Sequence, residues 1–294
     1  QNSRNTFYEL DLSARSRLKG KVNAITGSTG KSSTREMTKI VLAKSGTVFA
    51  TKRNYNHTSG VQLSLTQTHP ETEYSIYEFA VGHPETTLER ALLLKPDVAL
   101  VTNIYADHLR FYGSLEALAK QKALLFDALP FTGVVILNRD NEFFELLKSE
   151  ALKREISTII TFGEHSDADV QLIDIALDQR CSDVTVQIGS KIYTYKLSVP
   201  ARHNVMNTLA ALSISYALGL EIDHSLDVFE DLKLPKLRNQ EQVIVLPEGG
   251  EFTLIEDTFN SNSGSMMAAM ELLSLKKKYL KGHIIAILGQ MHGM

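Results

Sequence analysis

Short apolar runs alternate with helical patterns over the first half of the chain. The runs are rich in β-branched residues and lie at residues 22–26, 74–79, 98–102 and 134–137. Each precedes a helical pattern, at residues 32–44, 86–94, 114–129 and 142–153. A strand that is apolar on both faces and is followed by a helix is typical of a parallel sheet covered by helices. The pattern therefore predicts an α/β fold with a mostly parallel sheet flanked by helices.

Residues 170–199 follow a different pattern. Apolar and polar residues alternate at 184–188 and 192–197, on either side of Gly189-Ser190. Two alternating runs joined by a glycine-containing turn are typical of an antiparallel hairpin. We therefore expect a small antiparallel appendage beside the parallel strands.

The last third of the chain begins with a long helical pattern at residues 201–218, and Pro235 marks a linker after it. Beyond the linker, two β-rich runs surround Glu248-Gly-Gly250, which predicts another hairpin. The elements predicted here are strands at 242–246 and 252–256, a helix at 264–273 and a buried strand at 284–288. Together they predict the beginning of a second α/β domain.

Length and composition narrow the classes of function. With 294 residues and 43% hydrophobic side chains, the chain is long enough for about two domains. Its net charge of −3 provides no electrostatic attraction to nucleic acid or to an anionic membrane. No apolar run approaches the roughly 20 residues of a membrane helix, and the polar residues 1–5 do not resemble a signal peptide. We therefore expect a cytoplasmic protein without nucleic-acid or membrane partners, and we assign no role to the single cysteine, Cys181.

A glycine-rich loop follows the first predicted strand. Residues 24–34 read AITGSTGKSST, and good helix formers follow them. In a strand–loop–helix unit, glycines let the backbone wrap around phosphate oxygens, and the first helical N–H groups point at the anion. Lys31 then reaches the terminal phosphates, and the Ser32 hydroxyl can bind Mg²⁺. The loop therefore predicts a site for a nucleotide and magnesium.

This loop does not define the reaction by itself. The strict Walker spacing requires glycine at position 25, where this chain has Ile25. The alternative to a phosphate site is a Gly/Ser-rich turn with a surface lysine. Because phosphoryl transfer needs mainly positioning and charge stabilisation, such a loop serves ligases, kinases and motor ATPases alike. Residues elsewhere in the chain must distinguish these classes.

The loop and the segments after it resemble the Mur ligases. Their phosphate loop reads Thr-Gly-x-x-Gly-Lys-Thr/Ser, which residues 26–32 match, and further matches continue in order to about residue 291. NYNH at residues 54–57 is similar to the family's Asn-x-Asn-Asn, and GVQL after it is similar to Gly-Val-Pro-Leu, with departures at His57 and Gln62. Taken alone, this stretch would be a polar loop with helix-capping asparagines. The resemblance is strongest to the branch that adds D-alanyl-D-alanine to a UDP-muramoyl tripeptide.

Three polar residues come next, and the resemblance implies a role for each. Glu78 ends a predicted strand and is similar to the carboxylate that holds a metal on the ATP phosphates. His108, in NIYADHL, is similar to a ligand of a second magnesium. Lys122 aligns with a lysine that is carbamylated in Mur ligases of this branch, although Leu124 replaces the usual acidic residue two places on. As isolated residues they would be a paired or solvated glutamate, a structural histidine and a solvated lysine.

Further matches lie downstream. ARHNVMNTLAA at residues 201–211 resembles the helix start that contacts adenine, and alone it would be a capped amphipathic helix. DTFNSNSGS at 257–265 and LGQM at 288–291 resemble Asp-x-Tyr-Asn-Ala-Asn-Pro-x-Ser and Leu-Gly-Asp-Met. The residues implied at the nucleotide are Gly27, Ser28, Thr29, Gly30, Lys31, Ser32, Ser33, His203, Asn204, Asn207 and, at the ribose, Asp257. The residues implied at the metals are Ser32, Glu78, His108 and Lys122, and those implied in catalysis are Lys31, Lys122, His108 and Arg238.

The resemblance implies an ATP- and Mg²⁺-dependent ligase that phosphorylates a carboxylate and couples the acyl phosphate to an amine. The expected substrates are a UDP-muramoyl peptide and D-alanyl-D-alanine. It divides the chain into an N-terminal remnant or linker (1–21), a central ATP-binding domain (22–234) and a partial C-terminal ligase domain (235–294). We expect such a piece alone to bind nucleotide weakly and not to ligate, because both substrates must be positioned. The alternatives are a ligase that makes cyanophycin or a poly-amino acid, a phosphate-loop kinase or motor ATPase, and a non-catalytic binding protein.

Overall fold

The computed structural model describes residues 2–107, 109–279 and 282–291. The strands within these residues are β1 (Lys21–Thr26), β2 (Val48–Ala50), β3 (Tyr74–Glu78), β4 (Val98–Val101), β5 (Val134–Asn138), β6 (Thr158–Gly163), β7 (Val170–Leu177), β8 (Ser182–Ile188), β9 (Lys191–Leu197), β10 (Gln240–Val245) and β11 (Glu251–Glu256). Nine of these strands form one sheet in the order β2-β3-β1-β4-β5-β6-β7-β8-β9, and β10 pairs with β11 separately.

Nine α-helices lie in the same ranges. They are α1 (Asn2–Arg17), α2 (Lys31–Leu42), α3 (Thr58–Gln67), α4 (Pro84–Leu94), α5 (Leu109–Tyr112), α6 (Leu115–Ala123), α7 (Phe144–Leu152), α8 (Arg202–Ala217) and α9 (Ser263–Lys277). Short 3₁₀ helices occupy Leu124–Ala128, Asp223–Ser225 and Asp227–Phe229. No helix in the described residues is both long and apolar enough to cross a membrane.

Strands β1 to β7 run parallel to one another, which confirms the predicted α/β class. In the middle of the sheet, Ile25 of β1 is aligned with Glu78 of β3 on one side and with Leu100 of β4 on the other. The carboxyl ends of these three strands therefore meet at one edge. The sequence did not predict β2 or β6, and β2 is only three residues long.

The antiparallel strands continue the main sheet. β8 pairs antiparallel with β7 and β9, and the turn between β8 and β9 contains Gly189, whose φ of 57° suits glycine. β7 joins the parallel strands through the pairs Phe162–Val170 and Gly163–Gln171. The predicted antiparallel hairpin is confirmed, and it extends the sheet instead of standing apart from it.

Helices cover both faces of the sheet. Val22 and Ala24 of β1 point into one apolar cluster and Ile25 into the other, because successive side chains on a strand alternate. Helices α1, α3, α4, α6 and α7 complete the first cluster, and α2 and α8 complete the second. Each fully buried Leu, Ile, Val or Phe contributes about 1.5–3 kcal/mol, so these two layers hold the strand ends in fixed positions.

Helix α1 occupies the segment that the sequence suggested as a remnant or linker. Ala14 and Leu18 are buried against the first apolar cluster. Arg15 donates from Nε to the carbonyl of Leu94 at 2.6 Å and from Nη2 to the carbonyl of Lys95 at 2.7 Å. A cation on these last carbonyls of α4 satisfies groups that the helix itself leaves unpaired.

The region after Pro235 contains the predicted hairpin and helix. β10 and β11 pair antiparallel around Gly249 and Gly250, which have φ values of 92° and 93°. Helix α9 begins with a capping box, in which Asn262 Oδ1 accepts from the backbone of Ser265 at 3.0 Å and the Ser265 hydroxyl accepts in return. This box fixes the start of α9, which lies beside the cavity described below.

The prediction of a buried strand at residues 284–288 is wrong. The structure assigns these residues to no strand, and Ile285 and Ile287 are 80% and 93% exposed. A strand exists only through backbone hydrogen bonds to a neighbouring strand. Within the described chain neither β10 nor β11 pairs with this segment, so its apolar pattern has no sheet to join.

Candidate active site

A cavity of about 650 Å³ lies at the carboxyl edge of β1, β3 and β4. The glycine-rich loop follows β1, Glu78 ends β3, and Asn103 follows β4. Parallel strands bring their carboxyl ends to the same edge, so residues from distant parts of the chain meet there. The first residues of α8 and the region after Pro235 close the other side.

Two glycines give the phosphate loop its shape. Gly27 and Gly30 have φ values of 143° and 80°, a backbone region that side chains rarely adopt. A Cβ on Gly27 would overlap the Thr102 hydroxyl, and one on Gly30 would overlap the Asn207 side-chain oxygen. Both positions therefore require glycine, for conformation and for space.

The residues after β4 hold the loop from the side. Ser28 N donates to the carbonyl of Asn103 at 3.0 Å, and Thr29 N donates to Oδ1 of the same residue at 2.9 Å. The Ser28 hydroxyl donates to the Tyr105 carbonyl at 2.9 Å and accepts from the Tyr105 N–H at 3.0 Å. The next N–H groups belong to the first turn of α2, where a helix leaves its amides unpaired for an anion.

Lys31 lies across this loop. Its Nζ donates to the carbonyls of Gly27 at 2.6 Å and Ser28 at 3.2 Å. Burial lowers the pKa of Lys31, while the carboxylates of Glu78 and Asp107 raise it and Arg238 lowers it further. A cation beside a loop whose backbone can surround phosphate oxygens complements the negative charge of a nucleotide.

Glu78 is buried at the end of β3, with 2% of its surface exposed. Its Oε2 accepts from the Ser32 hydroxyl at 2.8 Å and from Arg35 Nη1 at 3.0 Å. Its Oε1 accepts from Asn56 Nδ2 at 2.7 Å. Asn56 therefore contacts the Glu78 carboxylate and is not the N-cap of a helix. The N-cap of α3 is His57, whose side chain makes no capping hydrogen bond.

Arg238 reaches this group from the far side of the cavity. Its Nη2 donates to the Ser32 hydroxyl at 3.0 Å, and its guanidinium lies 4.4 Å from the ring centre of Phe259. Stacking on an aromatic ring holds a guanidinium in place. Lys31, Ser32, Glu78 and Arg238 therefore converge, although 206 residues separate Ser32 from Arg238.

Lys122 also faces the cavity, from helix α6. It is 2% exposed, and burial lowers its pKa to about 7, with a further contribution from the positive charge of Lys31. The carboxylate of Asp107 opposes this effect. A lysine of this kind is a neutral amine in a substantial fraction of molecules at pH 7, and a neutral amine is a nucleophile.

The metal site is only partly described. His108 lies outside the described residues, so its predicted role as a metal ligand stays a prediction. Among the residues that the structure describes, no group of three or more His, Cys, Asp and Glu side chains could hold a metal ion. The predicted ligands that are described, Ser32, Glu78 and Lys122, all line the same cavity.

The predicted base-binding residues lie along α8. Asn207 Oδ1 accepts from the Thr34 hydroxyl at 3.3 Å, which joins α8 to α2. Asn204 Nδ2 donates to the Pro200 carbonyl at 2.9 Å, at the start of the helix. His203 lies one turn before Asn207 on the same face, and its Nε2 is 3.1 Å from Asn239 Nδ2.

Asp257 lines the same cavity from the end of the second hairpin. Burial raises the pKa of this carboxyl, and hydrogen bonding from the backbone of Asn239 together with the charge of Arg238 opposes the rise. The three residues Arg238, Asn239 and Asp257 thus form one connected group on the side of the cavity opposite the phosphate loop.

Comparison with known proteins now decides the family. Residues 25–215 match the family described as Mur ligase middle domain. The chain belongs to the Mur ligases. The matched range contains the phosphate loop, Glu78, Lys122 and most of α8, and it ends before Arg238.

Individual Mur ligases are similar over nearly the whole chain. It is 30% identical to the UDP-N-acetylmuramoyl-tripeptide–D-alanyl-D-alanine ligase of Escherichia coli K12 over 99% of its own length and 62% of that protein's. The protein of that name from Rickettsia prowazekii is 31% identical over 99% of this chain and 63% of its own length. The chain therefore spans less than two thirds of the length of these relatives.

Solved structures show the same fold. The crystal structure of MurF from Acinetobacter baumannii covers 94% of this chain with 59% of its own, at 26% identity and a TM-score of 0.85. MurF from Thermotoga maritima, solved in complex with ADP, covers 93% of this chain with 61% of its own, at 22% identity and a TM-score of 0.80. The predicted fold class and the resemblance to Mur ligases are both confirmed.

Sequence reasoning missed several residues that build the site. Arg35 binds the Glu78 carboxylate from inside the protein, and Asn103 and Tyr105 hold the phosphate loop. The position of Asn103 directly after β4, at the same sheet edge as the loop, was a usable signal. Arg35 and Asn239 gave no such signal, because their hydrogen-bond partners, Glu78 and His203, lie 43 and 36 residues away in the chain.

Proposed function

We propose that this chain carries the nucleotide-binding core of a ligase that uses ATP to join a carboxylate to an amine through an acyl phosphate. One observation carries the proposal: Lys31, Ser32, Glu78, Lys122 and Arg238 line one cavity at the carboxyl edge of the sheet. A phosphate loop alone would fit many ATPases. A buried lysine with a pKa of about 7 beside that loop is the feature that favours a ligase of this family.

The substrates are proposed from the relatives. The E. coli and R. prowazekii proteins are named for a UDP-N-acetylmuramoyl tripeptide and D-alanyl-D-alanine. We propose the same pair of small molecules here, in the synthesis of a cell-wall precursor, with no nucleic-acid or membrane partner. We also propose a cytoplasmic location, which cell fractionation tests.

The residues present fit ATP. Gly27 and Gly30 leave no room for a Cβ, so the backbone itself forms the cradle, and the first amides of α2 face the anion. Lys31 and Arg238 supply two cations at this position. As the γ-phosphate is transferred, charge spreads over its oxygens, and fixed cations stabilise that charge without having to reorganise.

The residues also fit Mg²⁺. The Ser32 hydroxyl and the Glu78 carboxylate lie 2.8 Å apart, and both are hard oxygen donors of the kind that magnesium prefers. The bound ion would neutralise phosphate charge. Arg35 and Asn56 hold the Glu78 carboxylate from its other sides, so its direction is fixed before any ion arrives.

Lys122 is proposed as a carbamate. Its neutral amine attacks CO₂ to form an N–C bond, and the nitrogen loses a proton, so the side chain becomes an anion. The charge of Lys31 repels a proton on Lys122 and so lowers the pKa of the free amine, whereas the same charge would attract a carbamate. An anion here can hold a cation near the substrate carboxylate, where an ammonium group would repel it.

Nucleotide and metal binding are tested by titration calorimetry with ADP, with and without Mg²⁺. We expect Mg²⁺ to tighten ADP binding, and we expect Ser32→Ala and Glu78→Gln to remove that gain. Ser45→Ala, in the exposed turn after α2, is the matched control. Equal binding by the wild-type chain with and without Mg²⁺ would contradict the assignment of Ser32 and Glu78.

The carbamate is tested by ¹³C NMR in ¹³C-bicarbonate. We expect one carbamate signal, absent in Lys122→Arg and retained in Lys120→Arg. Lys120 lies on the same helix, is exposed and pairs with Glu116 at 2.7 Å, so it is the matched control. A spectrum without the signal, or a signal that survives Lys122→Arg, refutes the proposed role of Lys122.

The reaction itself is tested by phosphate release from ATP by the natural protein. Release should require both the UDP-muramoyl tripeptide and D-alanyl-D-alanine. A kinase or motor ATPase would not need the amine, and a poly-amino-acid ligase would respond to a different amine. Release that is independent of the amine would reject the ligase.

A further inference from the structure

A buried lysine near the end of α9 joins the region after Pro235 to the main sheet. Lys276 Nζ donates to the carbonyl of Gln179 at 3.1 Å and lies 2.5 Å from Glu241 Oε1. The Lys276 side chain is 8% exposed, against 40% for Glu241. Lysine is almost never buried unless its charge is paired, because the ammonium group gives up its hydration there. The buried position of Lys276 therefore depends on these two contacts.

The two partners of Lys276 belong to different parts of the fold. Gln179 lies in the turn between β7 and β8, which are strands of the nine-stranded sheet. Asp178 fixes this turn, because its N–H donates to the Cys181 carbonyl at 2.9 Å and its Oδ1 accepts from Gln179 N at 2.6 Å. Glu241 lies on β10, which pairs with β11 outside that sheet. Lys276 thus bridges a fixed point on the sheet and the separate hairpin.

A second cavity, of about 540 Å³, lies between the hairpin and this turn. Its lining includes Gln179 and Arg180 of the turn and residues 240–242 of β10. Across a cavity, two elements are not held at a fixed distance by close-packed side chains. The ammonium group of Lys276 contacts residues on both sides, so it sets the distance between β10 and the sheet.

The start of α9 contacts the residues that hold the phosphate loop. A Cβ on Gly264 would lie 2.6 Å from the Tyr105 ring, so the helix backbone packs directly against that ring. The backbone of Tyr105 in turn holds the Ser28 hydroxyl. About 18 Å of helix separates Gly264 from Lys276, at 1.5 Å per residue. The Tyr105 contact and Lys276 therefore hold the two ends of α9.

The position of β10 decides where Arg238 lies. Strand β10 begins two residues after Arg238, and Glu241 is its second residue. Arg238 reaches across the nucleotide cavity to the Ser32 hydroxyl, at 3.0 Å. A shift of β10 away from the sheet would carry the guanidinium away from the phosphate loop. The contacts of Lys276 oppose that shift.

We propose that Lys276 is a positioning residue for nucleotide binding: it ties α9 and β10 to the main sheet and so holds Arg238 over the phosphate loop. This inference rests on the proposed function, in which Arg238 stabilises the phosphates of ATP. Without the ammonium group, the Glu241 carboxylate turns to water and β10 loses its tie to Gln179. Arg238 then occupies more positions, and ordering it when nucleotide binds costs affinity.

The test is titration calorimetry with β,γ-imido-ATP and Mg²⁺ on the wild-type chain and on Lys276→Met. Methionine keeps an apolar stem of similar length and removes the charge. We expect the variant to bind about tenfold more weakly, because an unplaced Arg238 loses about the gain of one charge-assisted hydrogen bond. Lys277→Met is the matched control, since Lys277 is the exposed neighbour on the same helix. Its affinity should stay within about twofold of wild type.

A double-variant cycle separates positioning from a contribution to stability alone. Arg238→Met should by itself weaken binding about tenfold. Adding Lys276→Met to it should then change the affinity by less than about twofold, since the cation that Lys276 positions is gone. A full tenfold loss in the Arg238→Met background would refute the positioning role. Circular dichroism must show the wild-type fold, and if Lys276→Met does not fold, Glu241→Gln takes its place in the cycle with the same expected results.

Other outcomes separate this inference from the proposed function. If wild type binds β,γ-imido-ATP and Lys31→Ala abolishes binding, but folded Lys276→Met binds as tightly as wild type, the role of Lys276 is refuted while the proposed function stands. If Arg238→Met binds as tightly as wild type, the inference is refuted as well, because Lys276 is proposed to act through Arg238. If wild type binds no nucleotide, both fail.

Discussion

The buried amine of Lys122 should make the stability of the chain depend on pH. Folding lowers the pKa of this group from its ordinary value of 10.5 to about 7 because the side chain is buried and lies near Lys31. The unfolded chain therefore binds the proton more tightly than the folded chain does. Replacing Lys122 with methionine, which keeps the length and apolar stem but has no proton to bind, should remove this difference.

The size of the effect follows from the two pKa values. A pKa lowered from 10.5 to about 7 corresponds to about 4–5 kcal/mol of weaker proton binding in the folded state. Above pH 10.5 both states are deprotonated and the penalty is absent. As the pH falls from 10.5 toward 7, the penalty grows and the free energy of unfolding decreases; below pH 7 the penalty stays constant. The stability of wild type relative to Lys122→Met should therefore rise by about 2–3 kcal/mol from pH 7 to pH 9 and be flat below about pH 6.

Urea denaturation at several pH values in CO₂-free buffer measures this difference. The difference between wild type and variant isolates Lys122, because the other titrating groups are common to both chains. Lys120→Met is the control: that lysine is exposed and pairs with Glu116 on the surface, so its loss should leave the pH dependence of stability unchanged. If the difference for Lys122→Met has the same value at pH 6 and pH 9, Lys122 is not buried as a neutral amine and the reasoning fails.

Four substitutions test the framework of the site. Arg35→Met and Glu78→Gln should each lower the free energy of unfolding, measured by urea denaturation, by about 3–5 kcal/mol, because each leaves a buried charged partner unpaired. The double variant should lose little more than either single variant. Additive losses would show that the two residues are not coupled. Gly27→Ala should destabilise the chain by at least about 2 kcal/mol and abolish ADP binding, since the glycine has a φ of 143° and no space for a Cβ; normal ADP binding would contradict the loop geometry. Gly264→Ala would place a Cβ 2.6 Å from the Tyr105 ring, so hydrogen exchange should speed up in α9 and stay unchanged in β1; unchanged exchange in α9 would argue against that contact.

The phosphate loop and the strands around it were predictable because their signals are local. A strand, two glycines and a lysine lie within 11 residues, 21–31, and the chemistry of each follows from its own type. The convergence of Glu78 with this loop needed one further rule, that parallel strands end at the same edge. Lys122 lies on helix α6, and only the resemblance to Mur ligases indicated that it belongs to the site. The hydrogen bonds of Arg35 and Asn239 follow no local rule, since each depends on the direction of a side chain across the fold.

Apolar patterns proved informative only where a partner exists. The run at 98–102 became β4 because β1 and β5 pair with it on both sides. The run at 284–288 is equally apolar, yet it is exposed and unpaired within the described chain. The periodicity of apolar residues indicates which face of a segment could be buried, and tertiary packing decides whether that face is buried.

The position of Lys122 near Lys31 explains why this buried lysine can remain in the protein although it destabilises the fold. In the free cavity Lys122 and Lys31 repel each other, and both amines are desolvated, which weakens the fold. A carbamate on Lys122 would reverse the sign of one partner, so the interaction that destabilises the free protein would stabilise the modified one. Lys122→Met should therefore be more stable than wild type in CO₂-free buffer at pH 7, and bicarbonate should narrow or reverse that difference. A stability difference that does not respond to bicarbonate would separate the burial of Lys122 from its proposed chemistry.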